Sequence, residues 1–317
     1  MQNWRSRFRK KKMEYLKMYD LIIIGGGPAG MTAALYAARA DLNVLLLERG
    51  VVGGQVINTY EVDNYPGFPK INGAELMMHF SEHVEQQPVE IRYEEVTDVE
   101  LGETIKCVRT YNGEYEARAI LYCAGASPKP LGVPGEDTYR GRGVSYCATC
   151  DGAFFRGRTV AVVGGGDTAA EDAAYLARAC KQVYVLVRKP YMRAAASLQR
   201  KLKELENVTI MYETVVREVQ GDGTFVNGVD IIRAGQEETL ALDGVFAAIG
   251  IVPETGLLKG KVDTCTQGFI ATDEYMMTSI PGVFAAGDVV QKVLRQIITA
   301  AADGAVAVTG VLRYFDL

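Results

Sequence analysis

The sequence predicts an α/β protein with two Rossmann-like domains, each built on a parallel sheet with helices on both faces. Two observations support this prediction. An apolar run followed by a glycine motif of the form G-x-G-x-x-G/A occurs at residues 21–30 and again at residues 160–169. Each copy continues into a helix-forming stretch and a second apolar run, which is the order of a βαβ unit. The matching glycines are 139 residues apart, so the chain repeats one type of fold.

The elements of both units follow from the hydrophobic pattern. Short apolar runs predict buried strands, and the alanine-rich stretches between them predict helices. The predicted elements of the two units are strand 19–25, helix 28–40, strand 43–48, strand 159–163, helix 168–180 and strand 182–187. The same pattern predicts a strand over 119–123 and a basic helix over 192–205.

Two turn-rich stretches mark the expected domain boundaries. Residues 125–130 and 247–253 are rich in glycine and proline, and each follows an apolar run. We interpret them as two crossings between the same two domains, so that one domain is inserted into the other. The expected domains are 18–127 for the first part of an outer domain that contains the first glycine motif, 128–250 for an inserted domain that contains the second, and 251–317 for the second part of the outer domain.

Composition limits the possible classes of protein. The chain has 317 residues, of which 48% are hydrophobic and 23% are charged, as is typical of a soluble globular protein of about two domains. We identify no apolar stretch of the roughly 18 residues that a membrane helix needs. The net charge of -5 disfavours nucleic acid as a partner. Six cysteines are too few for a disulfide scaffold and fit a reducing cytoplasm.

The first seventeen residues differ from the rest of the chain. They contain seven lysines and arginines against one acid, and no apolar segment follows, so they do not form a secretory signal. We expect a disordered extension, or a start assigned too early with Met18 as the true start. The alternative is a basic patch that binds a membrane surface or nucleic acid.

The first glycine motif predicts a site for FAD or NAD. Gly25 permits the tight turn, Gly27 lets the backbone approach a pyrophosphate, and Gly30 lets the helix pack closely on the strand. Glu48, twenty-one residues after Gly27, lies where an acid bonds a ribose hydroxyl and repels a 2'-phosphate. A later segment favours FAD: a short apolar run ends on Gly287-Asp288, and an aspartate there would accept a hydrogen bond from a ribityl hydroxyl.

The second glycine motif predicts a site for NADPH. Arg188 is twenty-two residues after Gly166, where NAD-binding proteins have an acid, and Lys189 and Arg193 lie close to it. Cations at this position favour a nucleotide with a 2'-phosphate. The alternative is a solvated basic face on the predicted helix 192–205.

The pair Cys147 and Cys150 predicts a redox-active dithiol. A zinc site would need two more ligands, the chain has no second C-x-x-C, and its two histidines lie together on another predicted helix. A C-x-x-C pair in a protein with nucleotide motifs is typical of disulfide redox chemistry. Asp151 is the nearest group that can exchange protons with a leaving thiolate, and its alternative role is to cap the turn at Gly152.

Taken together, these motifs resemble the bacterial-type, low-molecular-weight thioredoxin reductases. The resemblance covers residues 18–317 in order, and the C-A-T-C-D-G string at 147–152 is its most specific part. It implies a homodimer with FAD on each subunit, NADPH as reductant and thioredoxin as partner. It also implies that Cys147 attacks thioredoxin, that Cys150 faces the flavin, that Asp151 is the acid and base, and that the NADPH domain rotates.

The resemblance also implies the residues of both cofactor sites. For FAD they are Gly25, Gly27, Pro28, Ala29, Gly30, Glu48, Gly54, Gln55, Asn64, Gly125, Gly287, Asp288, Arg295, Gln296 and Ile297. For NADPH they are Gly164, Gly166, Asp167, Thr168, Arg188, Lys189 and Arg193. No metal is expected.

The chain departs from the family at the NADPH cluster. Family members commonly have His-Arg-Arg where this chain has Val187-Arg188-Lys189. Three other functions share part of the pattern: a ferredoxin-dependent flavin thioredoxin reductase, a flavin dithiol oxidase and a flavin-bearing redox sensor. None of them needs an intact second glycine motif, so the motif at 164–169 favours NADPH-dependent reduction of thioredoxin.

Overall fold

The computed structural model describes residues 18–59 and 62–317. The basic segment 1–17 lies outside the described residues. The chain divides into two compact units, one formed by the residues up to 57 with 74–126 and 253–317, the other by 58–73 with 127–252. This division differs from the expected domain boundaries chiefly at residues 58–73, which group with the second unit.

The first unit contains a seven-stranded sheet. Its strands are β1 (Met18–Ile24), β2 (Val44–Glu48), β3 (Val89–Tyr93), β4 (Val96–Leu101), β5 (Lys106–Thr110), β6 (Glu114–Tyr122) and β17 (Val283–Ala285). The order is β3-β2-β1-β6-β5-β4, and β17 pairs with β6. The central pairs are parallel, whereas β4, β5 and β6 form an antiparallel meander. The parallel core is the Rossmann-like part that the sequence predicted.

The helices of this unit are α1 (Pro28–Arg39), α2 (Gly73–Glu85) and α6 (Ile297–Tyr314). The β1–α1–β2 order confirms the first predicted βαβ unit, with ends that differ by one residue. Pro28 begins α1 at a position where a missing N–H is harmless. Helix α6 packs on α1 so closely that a Cβ on Gly304 would lie 2.2 Å from the carbonyl oxygen of Ala29.

Helix α6 corrects one expectation. By length and composition, it is the one helix in the described part of the chain that would be able to cross a membrane. The statement that no apolar stretch is long enough was therefore wrong. The apolar composition of α6 is explained by its packing against α1, since the buried residues of α6 belong to the core of the first unit.

The second unit contains a five-stranded parallel sheet and a three-stranded antiparallel sheet. The parallel sheet has the order β11 (Val208–Tyr212), β10 (Gln182–Val187), β9 (Thr159–Val163), β15 (Gly244–Ala247) and β8 (Val144–Ser145). The antiparallel sheet consists of β12 (Thr214–Gly221), β13 (Val226–Arg233) and β14 (Gln236–Ala241). Its helices are α3 (Ala148–Asp151), α4 (Asp167–Leu176) and α5 (Ala196–Lys203). Two short strands near the predicted crossings, β7 (Ala126–Pro128) and β16 (Ile251–Pro253), pair with each other.

Two predicted helices of the second unit have the wrong ends. Helix α4 ends at Leu176 rather than at residue 180, because the amide of Asn207 donates to the carbonyls of Ala177 and Cys180 and holds the chain in turns there. Helix α5 begins at Ala196 rather than at residue 192. The preceding residues have a nonhelical course, which is fixed by hydrogen bonds to the second glycine motif and described below.

Candidate active site

Three glycines of the first motif lie at the turn between β1 and α1. Gly25 has φ +109°, and a Cβ there would lie 2.4 Å from the carbonyl oxygen of Cys123. A Cβ on Gly30 would lie 1.9 Å from the carbonyl oxygen of Gly25. By contrast, no described atom lies within 4 Å of a Cβ placed on Gly27. Gly25 and Gly30 therefore need glycine for packing, whereas Gly27 leaves the backbone open to a ligand.

The start of α1 fits a pyrophosphate. Gly27 is the N-cap and has no side chain with which to bond the first-turn N–H groups, and Pro28 and Ala29 follow it. Those N–H groups and the positive end of the helix dipole are the features that bind phosphate. Gly54 begins a 3₁₀ helix (Gly54–Asn58) that also contains Gln55, and a Cβ on Gly54 would lie 3.4 Å from the Cα of Gly27. The 3₁₀ helix therefore begins next to Gly27.

Glu48 lies at the end of β2 and reaches the glycine motif. Its Oε2 accepts a hydrogen bond from the N–H of Gly26 at 2.7 Å, and its Oε1 accepts one from the N–H of Gly50 at 2.9 Å. These two bonds fix the carboxylate in place. Each carboxylate oxygen keeps a second lone pair, so Glu48 is able to accept from a ribose hydroxyl as well.

Two of the predicted FAD residues lie apart from this cluster in the chain. Gly125 follows the end of β6, with φ +74°, and no described atom lies within 4 Å of a Cβ placed there. Asn64 lies in the stretch 58–73, which belongs to the second unit. Asn64 is therefore not part of the cluster that the first unit forms by itself.

Asp288 provides the sharpest test of whether the first unit fits a flavin. It lies in a 3₁₀ turn (Gly287–Val289) that follows β17. Its Oδ1 is buried and has no hydrogen-bond partner among the described residues. Burial raises the pKa of this carboxyl, whereas Lys292 and Arg295 lower it. A buried acceptor without a donor is costly, and a hydroxyl of a bound ligand would satisfy it.

Arg295 holds the turn that contains Asp288. Its guanidinium donates to the carbonyls of Asp288, Val290 and Lys292 at 3.3, 3.1 and 3.2 Å. It also stacks on the ring of Phe269, with the central carbon 3.9 Å from the ring centroid. In the first unit as described, Arg295 therefore orders the residues around Asp288.

The start of α6 completes this side of the first unit. Gln296 is the N-cap and Ile297 the first helical residue, and Gln296 forms a capping box with Thr299. Asp303, one turn further on, accepts from the N–H of Gly287 at 3.0 Å and from the ammonium of Lys292. The sequence analysis did not assign Thr299 and Asp303 to the site, because no sequence motif predicts the contacts that they make.

The predicted dithiol forms a disulfide in the second unit. Cys147 is the residue before α3 and Cys150 lies within it, and the two sulfurs are bonded. The carbonyl of Cys147 accepts from the N–H groups of Cys150 and Asp151 at 3.3 and 3.1 Å. Both cysteines are half-buried.

Ser145 joins Asp151 to the dithiol loop. Its hydroxyl donates to Oδ2 of Asp151 at 2.6 Å and accepts from the N–H of Cys147 at 3.1 Å. Burial raises the pKa of Asp151, and the bond from Ser145 lowers it. Asp151 is the N-cap of the 3₁₀ helix Gly152–Phe155, as the alternative role predicts, but its side chain makes no cap bond in the described structure. Ser145 lies in a two-residue strand and gives no signal in the sequence.

The second glycine motif repeats the geometry of the first. A Cβ on Gly164 would lie 2.4 Å from the carbonyl oxygen of Ala248, whereas one on Gly166 would meet no described atom within 4 Å. Helix α4 begins at Asp167, and both Asp167 and Thr168 are exposed in its first turn. The open N–H groups of this turn again fit a pyrophosphate.

The basic residues of the second motif lie on the surface beyond β10. The side chains of Arg188, Lys189 and Arg193 are exposed, and the N–H of Arg193 donates to the carbonyl of Gly165 at 2.6 Å. Because that bond joins the basic segment to the glycine turn, these three basic residues lie next to the second glycine motif. The helix α5 begins only after them, so they are not part of a helical basic face.

Comparisons with known proteins agree over nearly the whole chain. A family model described as pyridine nucleotide-disulphide oxidoreductase matches residues 19–304. A thioredoxin reductase of Listeria monocytogenes is 45% identical over 302 residues, 95% of each chain. A thioredoxin reductase of Bacillus subtilis is 43% identical over 302 residues, 95% of this chain and 96% of that one.

Solved structures give the same result. The crystal structure of thioredoxin reductase from Streptococcus pyogenes matches with a TM-score of 0.89 and 48% identity, over 94% of this chain and 98% of that chain. Thioredoxin reductase from Giardia duodenalis matches with a TM-score of 0.88 and 33% identity, over 95% and 100% of the two chains. The two-domain α/β fold predicted from the sequence is thereby confirmed.

Proposed function

Because this chain belongs to the pyridine nucleotide-disulphide oxidoreductase family, we infer that it is an FAD-dependent thioredoxin-disulfide reductase that uses NADPH. The observation that carries this inference is the Cys147–Cys150 disulfide in the unit that also contains the second glycine motif. Bound FAD supplies the two-electron step between NADPH and this disulfide.

We assign the first unit to FAD on the basis of its own groups. The first glycine turn and the start of α1 are open to a pyrophosphate, and Glu48 is fixed beside them with lone pairs for a ribose. The buried Oδ1 of Asp288 needs a donor such as a ribityl hydroxyl. The second unit has no acid at the corresponding strand end but has Arg188, which fits the 2'-phosphate of NADPH.

Reduction of the Cys147–Cys150 bond takes up two electrons and two protons and leaves two thiols. The Cys147 thiolate then attacks the disulfide of thioredoxin, which forms a mixed disulfide and releases one thioredoxin thiol. Cys150 attacks the mixed disulfide, which releases the second thiol and restores the original bond. In each round Asp151 exchanges a proton with the leaving sulfur.

Replacing Asp288 tests the flavin assignment. We expect Asp288→Ala to weaken FAD binding by roughly ten- to a hundredfold, because a hydrogen bond to a charged group is worth roughly 1.5–3 kcal/mol. The flavin-free protein, in contrast, should not lose stability, since Oδ1 has no partner in the described structure to lose. Flavin release and thermal unfolding of the flavin-free protein measure the two effects.

Asp303→Ala is the matched control for Asp288→Ala. The Asp303 carboxylate is paired with Gly287 and Lys292, so its loss should destabilise the flavin-free protein. If Asp288→Ala retained wild-type flavin affinity, Asp288 would not be part of the FAD site.

Asp151 is expected to determine how fast protons reach the dithiol. Asp151→Asn should slow turnover with thioredoxin by roughly 10²- to 10⁴-fold, the usual contribution of a positioned acid or base. Ser145→Ala should raise the pKa of Asp151. Its hydroxyl stabilises the carboxylate, so its removal raises the pKa of Asp151 further and keeps the acid protonated to higher pH.

The pH dependence of turnover measures this effect. In Ser145→Ala the limb of the profile that reports Asp151 should move to higher pH. A limb that did not move would mean that another group supplies the proton.

We further propose that the enzyme is a cytoplasmic homodimer that does not act on nucleic acid or membranes. The family resemblance supports the dimer, the cysteine usage supports the cytoplasm, and the net charge of -5 argues against nucleic acid. Sedimentation of the purified protein at the mass of one chain would contradict the dimer.

Turnover with both substrates tests the function as a whole. Purified protein with NADPH should reduce oxidised thioredoxin continuously, as measured by the loss of NADPH absorbance. A protein that contained FAD but reduced thioredoxin only with ferredoxin, or passed electrons from small thiols to oxygen, would instead be one of the two alternative enzymes.

A further inference from the structure

The segment after β10 is held in place by three hydrogen bonds, two between backbone groups and one from a backbone N–H to the Asp167 carboxylate. The N–H of Arg193 donates to the carbonyl of Gly165 at 2.6 Å, and the N–H of Ala195 donates to Oδ1 of Asp167 at 2.7 Å. On the other side, the carbonyl of Lys189 accepts from the N–H of Glu213 at 3.3 Å. Residues 188–195 therefore form a fixed ledge next to the second glycine motif.

Burial shows which side chains of this ledge face outward. Met192 and Ala194 are each 5% exposed and belong to the core of the second unit, whereas Tyr191 is 55% exposed. Arg193 is also exposed. The alternation places Tyr191 and Arg193 together on the outer side of the ledge.

Tyr191 is paired with Lys189 in a specific way. The ammonium nitrogen of Lys189 lies 3.4 Å from the phenol oxygen and 5.4 Å from the ring centroid. It therefore lies at the oxygen end of the ring and not above its centre. An ammonium group has no acceptor, so it donates to the phenol oxygen. The phenol keeps its own O–H to donate to another group.

We propose that Tyr191 is a specificity residue of the NADPH site, whose hydroxyl donates to the 2'-phosphate while Lys189 binds the same phosphate. This inference rests on the proposed function. It follows from the chemistry of the ledge, since two adjacent donors and the exposed guanidinium of Arg193 match a group with three acceptor oxygens. Where the family commonly has a second arginine, this chain has a lysine, and Tyr191 supplies the additional donor.

Calorimetric binding of two fragments tests the proposal without turnover. The probe 2',5'-ADP contains the 2'-phosphate, and 5'-AMP lacks it. We expect Tyr191→Phe, in the FAD-loaded protein, to weaken 2',5'-ADP by about tenfold and to leave 5'-AMP unchanged, since the phenyl ring keeps the shape but loses the donor. Tyr111→Phe, the same change at another exposed tyrosine, should leave both affinities unchanged.

The outcomes separate this proposal from the function on which it rests. If wild-type protein binds 2',5'-ADP better than 5'-AMP and Tyr191→Phe keeps that preference, the NADPH site stands and the role of Tyr191 is wrong. Equal losses for both fragments would also overturn it, because the hydroxyl would then not act on the 2'-phosphate. If the wild-type protein shows no preference, the NADPH assignment itself fails, and the proposal fails with it.

Discussion

Cys150→Ser is expected to abolish thioredoxin reduction, with a loss of more than about a thousandfold, while FAD remains bound. The serine hydroxyl cannot form the disulfide that accepts two electrons, and no other pair of cysteines in the described structure is bonded. The cysteines lie outside the unit that contains the first glycine motif, so flavin content should not change. Turnover with NADPH and thioredoxin, together with the flavin absorbance of the purified variant, measures both effects.

The two single variants also test the order of the cysteines. In Cys150→Ser the remaining Cys147 should trap thioredoxin as a mixed disulfide, because the second attack is missing. In Cys147→Ser no such adduct should accumulate. Cys265→Ser, a change at a half-buried free cysteine of the first unit, is the control and should leave turnover unchanged. Near-normal turnover of either dithiol variant would show that the Cys147–Cys150 pair does not relay electrons.

Arg188→Ala should raise the KM for NADPH by roughly ten- to a hundredfold, with little change in the KM for NADH. A charge-assisted contact with phosphate is worth roughly 1.5–3 kcal/mol. Because about 1.4 kcal/mol corresponds to a tenfold change in affinity, its loss should weaken NADPH binding by roughly ten- to a hundredfold. NADH lacks the 2'-phosphate and therefore loses nothing. Steady-state kinetics with the two nucleotides measures the difference.

A second arginine of the same unit serves as the control. Arg200 lies exposed on α5, several residues beyond the ledge, so Arg200→Ala should change neither KM. Equal losses for NADPH and NADH in Arg188→Ala would mean that Arg188 supports the fold and does not recognise the phosphate.

The sequence was sufficient for the parts of the fold that depend on short-range pattern. The strands β9 and β10 occupy the predicted residues 159–163 and 182–187, because a buried strand of a parallel sheet is a continuous apolar run with clear ends. The glycine turns were equally readable, since the constraint on Gly25 and Gly164 comes from backbone atoms that any βαβ turn of this kind brings close.

Where prediction failed, contacts distant in sequence were responsible. Helix α4 ends early because Asn207, thirty-one residues after Leu176, bonds the carbonyls beyond it. Helix α5 starts late because Gly165 and Asp167 hold the residues before it. Local helix propensity contains no information about either partner, so the ends of these helices depend on tertiary structure.

The candidate site shows the same division. Cys147 and Cys150 were found from their spacing, but Ser145 was not, since only the fold brings its hydroxyl to Asp151. The unpaired oxygen of Asp288 is likewise a property of burial and becomes visible only in three dimensions. The role proposed for Tyr191 was not predicted either. The sequence pattern predicted a helix over 192–205, whereas tertiary hydrogen bonds hold residues 188–195 in a nonhelical ledge.

Anaerobic titration of the purified protein with NADPH, followed by oxidised thioredoxin, tests the central claim most directly. NADPH should bleach the flavin absorbance near completely, and thioredoxin should restore it in wild-type protein but not in Cys150→Ser. That pattern places the nucleotide, the flavin, the dithiol and thioredoxin in one chain of electron transfer. A flavin that NADPH does not bleach, or that thioredoxin reoxidises equally well without Cys150, would contradict the account.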